Sequence, residues 1–376
     1  MDFNFTEEQQ QLADALRRYL DKNYGFEARQ AIVKTPEGVS AAHWNAFVEL
    51  GLTALPVPAE QGGFDGSPFD MLVVMQELGR MLVVEPYWAT AVGVEALKLA
   101  GAENAQNAQL LERVAAGEIK LAAAFHEPGA RYDLFALETL AKETGDGFAL
   151  TGSKSVVQHG AQADYWIVPA RLAGEVAVFV VARDAKGVEV SDYRTIDGQR
   201  AATLKFDGAT ARRLGVAGAA GAATWEQIAD YATFLLCAEA VGAIDALNHA
   251  TVEYTKTRQQ FGVPIARFQA LQHRMAEMLI HGEQARSLTY LAAARYSSAS
   301  SDERRRAISA AKVRVGQAAR YVGQQAVQLH GGMGVTNEVA AAHLFKRLAI
   351  IETTLGDVDY HLERFASLPG FAQAAA

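Results

Sequence analysis

The chain has 376 residues, 50% of them hydrophobic and 21% charged, with a net charge of −8 and an isoelectric point near 5.7. That acidity argues against nucleic acid as the main partner, because phosphate binding needs concentrated Lys and Arg, and the length predicts two or three packed units. The single cysteine, Cys237, cannot build an intrachain disulfide framework and fits a reducing, cytoplasmic setting.

The first segment reads as helical. "MDFNFTEEQQ" is acidic and polar, unlike a secretory signal. Behind it, Leu12, Leu16 and Leu20 share a helix face, and Thr6 with Gln9 forms a capping-box pattern. "AAHWNAFVELG" and "PFDMLVVMQELGRML" repeat the helical period, separated by the Pro/Gly loop "LPVPAEQGGFDGS". A helical domain over 1–118 is expected.

From Ile119 the period becomes that of short strands: "IKLAAAF", "GFALTGSKSVV", "DYWIVPARL", "VAVFVVARD", "GVEVSDY" and "ATLKFDG". Turn residues such as Gly145-Asp146-Gly147 separate several of them. This predicts a small β-barrel or sandwich over 119–213. "LGVAGAAGAA" (214–223) reads as a linker.

Helical periodicity then returns over 224–376. Leu235, Ala238, Val241, Ile244, Leu247 and Thr251 make one stripe. Phe268, Leu271, Met275 and Met278 make a second, and Ile308, Val315, Val322 and Leu329 a third at heptad spacing. A four-helix bundle follows, giving an α+β chain in the order helices, β-domain, bundle. No run of roughly 18 apolar residues is evident, so no membrane span is expected.

One stretch interrupts the bundle: "RQQFGVPIARFQALQHRMAEM", Arg258–Met278. Gly262 permits unusual backbone angles and Pro264 forbids simple helical continuation. On spacing alone this is an αα-hairpin turn with Phe261 packed as a plug.

"YTKTRQQFGVPIARFQALQHRMAEM" also resembles the C-terminal signature of the acyl-CoA dehydrogenase family. The resemblance covers nearly the whole chain. "MDFNFTEEQQQLADALRRYL" is similar to the family's opening helix, and "LGLTALPVPAEQGGFDGS" to its "GL…VPEEYGG" loop. "AAAFHEPGARYDL" stands for its "TEPGAGSD" segment, and "ALTGSKSVVQHGAQADYWIV" for its "NGxKxWITNG" strands. "QLHGGMGVTNEVAAAHLFKRLAIIETTLGD" resembles its closing block. Within the family, "ETTLGD" and the divergent β-domain point toward small subunits of bacterial two-component dehydrogenases of the pimeloyl-CoA type.

The resemblance implies an FAD-dependent oxidoreductase that desaturates an acyl-CoA thioester at the α,β-carbons. It passes electrons to an electron-transfer flavoprotein or another acceptor, and works as a homo-oligomer or a hetero-oligomer with a related subunit. The alternative is a non-catalytic or partner-dependent subunit that contributes the ADP half of an FAD site. A flavin oxidase or monooxygenase on the same fold also stays open.

By the same resemblance Arg258 and Phe261 meet the FAD of a neighbouring subunit, at its pyrophosphate and near its adenosine. Gln269 and Gln328 supply polar contacts, and Gly331, Gly332 and Gly334 allow close backbone approach. His126 and Gln158 stand where the flavin ring is held, with Val156 in place of a frequent Trp. His126 either donates to the flavin or satisfies a local carbonyl. Arg131 reads equally as a phosphate contact or a solvated side chain, and His330 as a support for the glycine turn.

The family's two base positions fall on Leu355 and Ala232, which cannot take a proton. Glu239, inside an apolar helix, must be paired or protonated. A structural partner is the ordinary explanation, and Glu239 is the one weak catalytic candidate. No Cys, His and carboxylate grouping has metal-ligand spacing.

Overall fold

The computed structural model describes residues 5–145, 147–298 and 300–369. Asp146, the middle of the expected Gly-Asp-Gly turn, lies outside them. The helices α1 (Glu7–Asn23), α2 (Phe26–Lys34), α3 (Ala41–Glu49), α4 (Pro68–Arg80), α5 (Tyr87–Leu99) and α6 (Ala105–Ala115) come first. The strands follow: β1 (Leu121–Ala123), β2 (Leu140–Thr144), β3 (Gly147–Gln158), β4 (Tyr165–Leu172), β5 (Glu175–Ala182), β6 (Val188–Arg194) and β7 (Arg200–Leu214). Then come α7 (Ala219–Thr257), the two-residue strands β8 (Gln259–Gln260) and β9 (Val263–Pro264), α8 (Gln269–Tyr296), α9 (Ser301–His330), α10 (Ala340–Thr353) and α11 (Val358–Ala366).

These elements make two compact units. The first comprises residues up to Gln30, Pro68–Val83, and the chain from Thr233 onward; the second comprises Ala31–Ser67 and Val84–Ala232. The segment 1–118 is thus divided between them, and the division in α7 falls between Ala232 and Thr233.

The first unit is helical. Thr6 and Gln9 cap α1 reciprocally, side chain to backbone in both directions. In α9 the heptad residues Ile308, Val315, Val322 and Leu329 are buried, as are the α7 stripe residues from Leu235 to Thr251. Helix α4 crosses α7 at glycines. A Cβ on Gly79 would stand 2.0 Å from the Glu239 carbonyl, and one on Gly242 would stand 1.9 Å from that of Gln76. Of the second predicted stripe only Met278 is buried, while Phe268 is exposed. By length and mean composition α7 is apolar enough to cross a membrane, although charged residues such as Asp230, Glu239 and Asp245 interrupt it and it holds no unbroken run of 18 apolar residues. Yet 94% of its apolar window is buried inside the protein, as in a core helix.

The second unit is built on a closed barrel. Strands run in the order β4-β2-β3-β7-β5, and β5 returns to pair with β4, while β1 and β6 flank β4 and β7. Closure removes the free edges that an open sheet would expose. The Ala/Gly run read as a linker instead opens α7. Alanine is the best helix former, and Gly221 is required by packing, since its Cβ would lie 2.6 Å from the Val216 carbonyl and 2.7 Å from that of Val176.

Candidate functional site

The interruption after α7 is a miniature β-hairpin. Gln259 pairs with Pro264 and Gln260 with Val263. Phe261 and Gly262 form the two-residue loop with φ of 53° and 77°, the sign pattern of a type I′ turn. A positive φ on a bulky aromatic is strained, by roughly 1–3 kcal/mol. Phe261 is also 91% exposed, so the plug expected from spacing is absent. Among the described residues, the one ring it meets is Phe268, edge-on at 6.0 Å between centroids.

Arg258 stands at the base of this hairpin. Its backbone N–H continues the helix to the Tyr254 carbonyl, and its own carbonyl accepts from Ile265. Its exposed guanidinium makes no hydrogen bond or ion pair among the described residues. Tyr254 links this end of α7 to the end of α9. Its ring stacks on His330 at 4.4 Å, and its hydroxyl donates to the His330 carbonyl at 3.2 Å. The buried His330 ring is held by the Ala326 carbonyl at 2.8 Å, so it supports the glycine turn that follows. Gly331 adopts φ 60° and ψ −140°, a region only glycine occupies freely. A Cβ on Gly331 or Gly332 would meet nothing within 4 Å. Gln269 and Gln328 are exposed at the first turn of α8 and the last turn of α9. An unpaired guanidinium, an exposed ring and an open glycine backbone suit a planar base and a pyrophosphate.

In the second unit, Gln158 ends β3, and His126, three residues past β1, bridges to Ser155 of the same strand. The Ser155 N–H donates to the His126 carbonyl at 2.8 Å, and Gln158 pairs with Ala201. Burial lowers the His126 pKa, and the Arg131 backbone facing the ring offsets part of that. Between Lys154 and Val157 the register with β7 shifts. This bulge puts Val156 at φ 50° and leaves it 47% exposed. The Val156 N–H donates to the Tyr193 hydroxyl at 3.1 Å.

Sequence reasoning passed over what holds this loop. Glu127, of "HEPG", and Lys154, of "GSK", form a buried ion pair at 2.5 Å. Glu127 also accepts from the backbone of Glu138 at 2.6 Å and of Thr139 at 3.2 Å. Burial raises the Glu127 carboxyl pKa, but Lys154 and these N–H groups outweigh it and hold the group below its ordinary value. Both residues stand in the quoted motifs, so the signal was present. Tyr193 and Tyr254 also stand in quoted stretches, "GVEVSDY" and "YTKTRQQFG", but nothing in those stretches names their partners, the Val156 N–H and His330.

Glu239 receives the structural partner. Arg347 grips it at 2.6 and 2.7 Å, and both side chains are buried. A carboxylate so neutralised and enclosed is a poor proton acceptor for a substrate carbon, which corrects its candidacy as base. Leu355 is buried at φ 58°. Ala232 is buried, and its carbonyl accepts from the Trp88 indole at 3.1 Å. Cys237 is buried, with its thiol pKa pushed up to about 12 by burial.

Three profiles for acyl-CoA dehydrogenase match in sequence: the N-terminal domain at 6–118, the middle domain at 122–209 and the C-terminal domain at 219–367. The acyl-CoA dehydrogenase IpdE2 of Mycobacterium tuberculosis is 30% identical over 342 residues, covering 91% of each chain. FadE27 of the same organism is 27% identical over 97% of each. Among solved structures, a variant of the Tcur3481-Tcur3483 steroid ACAD superposes with a TM-score of 0.90 at 28% identity, covering 98% of this chain and 99% of that one. The ChsE4-ChsE5 complex from M. tuberculosis gives 0.89 at 25%, covering 98% and 100%.

Proposed function

Since the chain belongs to the acyl-CoA dehydrogenase family and is an oxidoreductase of that type, we propose that it binds FAD, with the Arg258–Pro264 hairpin holding the ADP portion in an oligomer. The observation that carries this is an unpaired guanidinium beside a strained, exposed Phe261, tied through Tyr254 and His330 to an open glycine turn. Nothing within the described chain covers that ring, which suits a site completed by a neighbouring subunit.

When bound, FAD supplies the acceptor for a hydride from the acyl β-carbon. The chain's own residues bind and orient. Arg258 offers a planar pair of donors to a pyrophosphate. Gln269 and Gln328 add amide contacts. Glu127 and Lys154 fix the loop that carries His126. His126 and Gln158, near the end of β3, would contact the flavin ring.

The substrate in this reading is an acyl-CoA thioester, and the electron acceptor is a protein such as an electron-transfer flavoprotein. The named relatives are dehydrogenases, which favours a catalytic chain over a non-catalytic subunit. Neither Leu355 nor Ala232 can accept a proton, and Glu239 is committed to Arg347. Base assignment therefore belongs to experiment. Heat-released cofactor should run as FAD, and FMN as the main species would sink the cofactor reading. The chain should then be assayed with an artificial acceptor against short, medium, long and dicarboxylic acyl-CoAs, alone and with a co-expressed related subunit. No turnover in either setting would overturn the substrate class.

A further inference from the structure

In the second unit, a cleft of about 620 Å³ lies between α6 and the strands β3, β4, β5 and β7. Three guanidiniums line it, those of Arg113, Arg212 and Arg213, together with the Tyr165 hydroxyl and the amides of Gln106 and Gln109. No carboxylate is among the described residues that line it. This concentration of positive charge stands against a chain of net charge −8. We propose that this cleft is a binding site for a small phosphorylated ligand, its phosphate held by Arg113, Arg212 and Arg213.

Arg212 is fixed in place by the chain around it, and Arg113 and Arg213 each touch a ring or hydroxyl of the cleft. Asn107 is 1% exposed and is itself held, its amide donating to the Gly101 carbonyl at 2.9 Å. Its oxygen accepts from an Arg212 Nη at 2.8 Å. Asn107 is neutral, so it orients the half-buried guanidinium without cancelling its charge, and burial depresses the Arg212 pKa. Arg113 donates to the Tyr165 hydroxyl at 3.3 Å, and its one carboxylate contact is the exposed Glu118 at 3.4 Å. Arg213 lies over the Phe148 ring at 5.6 Å and has no ion pair among the described residues. Arg212 and Arg213 have no carboxylate partner among the described residues and Arg113 has only the exposed Glu118, so the cluster is poised for an anion. Phosphate matches their forked donors better than a single carboxylate does, because it offers several acceptor oxygens at once. The Phe148 ring and Leu110 add an apolar wall for the rest of the ligand. The cleft shares no residue with the Arg258 hairpin or with the His126 loop.

The test is calorimetric titration of the protein, as isolated, with inorganic pyrophosphate, with sulfate as competitor. One saturable site per chain is expected. Arg212→Gln should weaken it about ten- to a hundred-fold, the loss of one charge-assisted contact. The exposed Arg213→Gln should weaken it less and serves as the reading if Arg212→Gln does not fold. Arg258→Ala, in the other anion-binding candidate, should leave this affinity unchanged. Absence of saturable binding up to about 10 mM would overturn the proposal. So would binding that survives both cleft variants, or binding abolished by Arg258→Ala.

Discussion

Two turns in the helical unit use the same backbone device and put it to opposite ends. At Phe261-Gly262 and at Leu355-Gly356, a large residue at positive φ precedes a glycine at positive φ, with values of 53° and 77° in the first and 58° and 111° in the second. The second turn is enclosed. Lys312, itself buried, donates to the carbonyls of Glu352 at 2.9 Å and Gly356 at 2.5 Å. The His361 Nε2–H donates to the Leu355 carbonyl at 3.0 Å, and its Nδ1 faces the Ser309 hydroxyl at 3.4 Å. Among the described residues, the first turn has only the exposed Phe268 ring edge-on against Phe261, and no side chain donates to its carbonyls. Strain at one turn is held by the chain's own interior, and at the other it sits in the open. An exposed strained turn is thus a stronger pointer to function than a buried one.

The largest effect should come from uncapping the enclosed turn. Lys312→Met strands two buried carbonyls, each worth about 1–3 kcal/mol, so denaturant titration should show a loss of roughly 2–5 kcal/mol. An unchanged midpoint would remove the distinction between the turns. Next comes Arg258→Ala, expected to weaken FAD binding by roughly 1.5–3 kcal/mol while leaving the unfolding midpoint of the apoprotein in place. A monomer that keeps FAD tightly would contradict the open-turn reading.

The third effect is of pH. Burial, then Lys312 and Arg364, push the His361 pKa well below its ordinary value. Below about pH 6.5 the unfolded chain takes up a proton that the folded chain refuses. Stability should therefore fall with acidification, by up to about 1.4 kcal/mol per pH unit, until the folded pKa is reached. His361→Asn should flatten that slope, and a slope surviving it would assign the effect to another histidine. The smallest effect is Phe261→Gly, which relieves the positive φ and should raise apoprotein stability by about 1 kcal/mol. A clear loss instead would mean that the ring packs on the chain.

Periodicity carried most of the fold. The change from helix to strand at Ile119 and the α9 heptad were legible because burial of one face dictates residue spacing. The start of α7 was misread, since an Ala/Gly run suits both a linker and a close-packed helix, and only the carbonyls of Val176 and Val216 decide between them. Spacing alone makes Phe261 a plug, whereas the family resemblance sets its ring against a neighbouring subunit's cofactor; the exposed ring departs from the plug. The partner of Glu239 was predicted in kind, but its identity as Arg347 was not legible. No local pattern joins residues so far apart.

That separation bears on how the protein is made. Glu239 and Arg347 are 108 residues apart, and a ribosome adding about 5–20 residues per second needs roughly 5–20 s to cover the gap. For that interval α7, apolar along much of its length, has left the ribosome with its carboxylate unneutralised and its α9 and α10 neighbours unbuilt. A helix whose apolar window ends 94% buried begins as exposed nascent chain, a natural substrate for chaperones that hold apolar chain until synthesis is nearly complete.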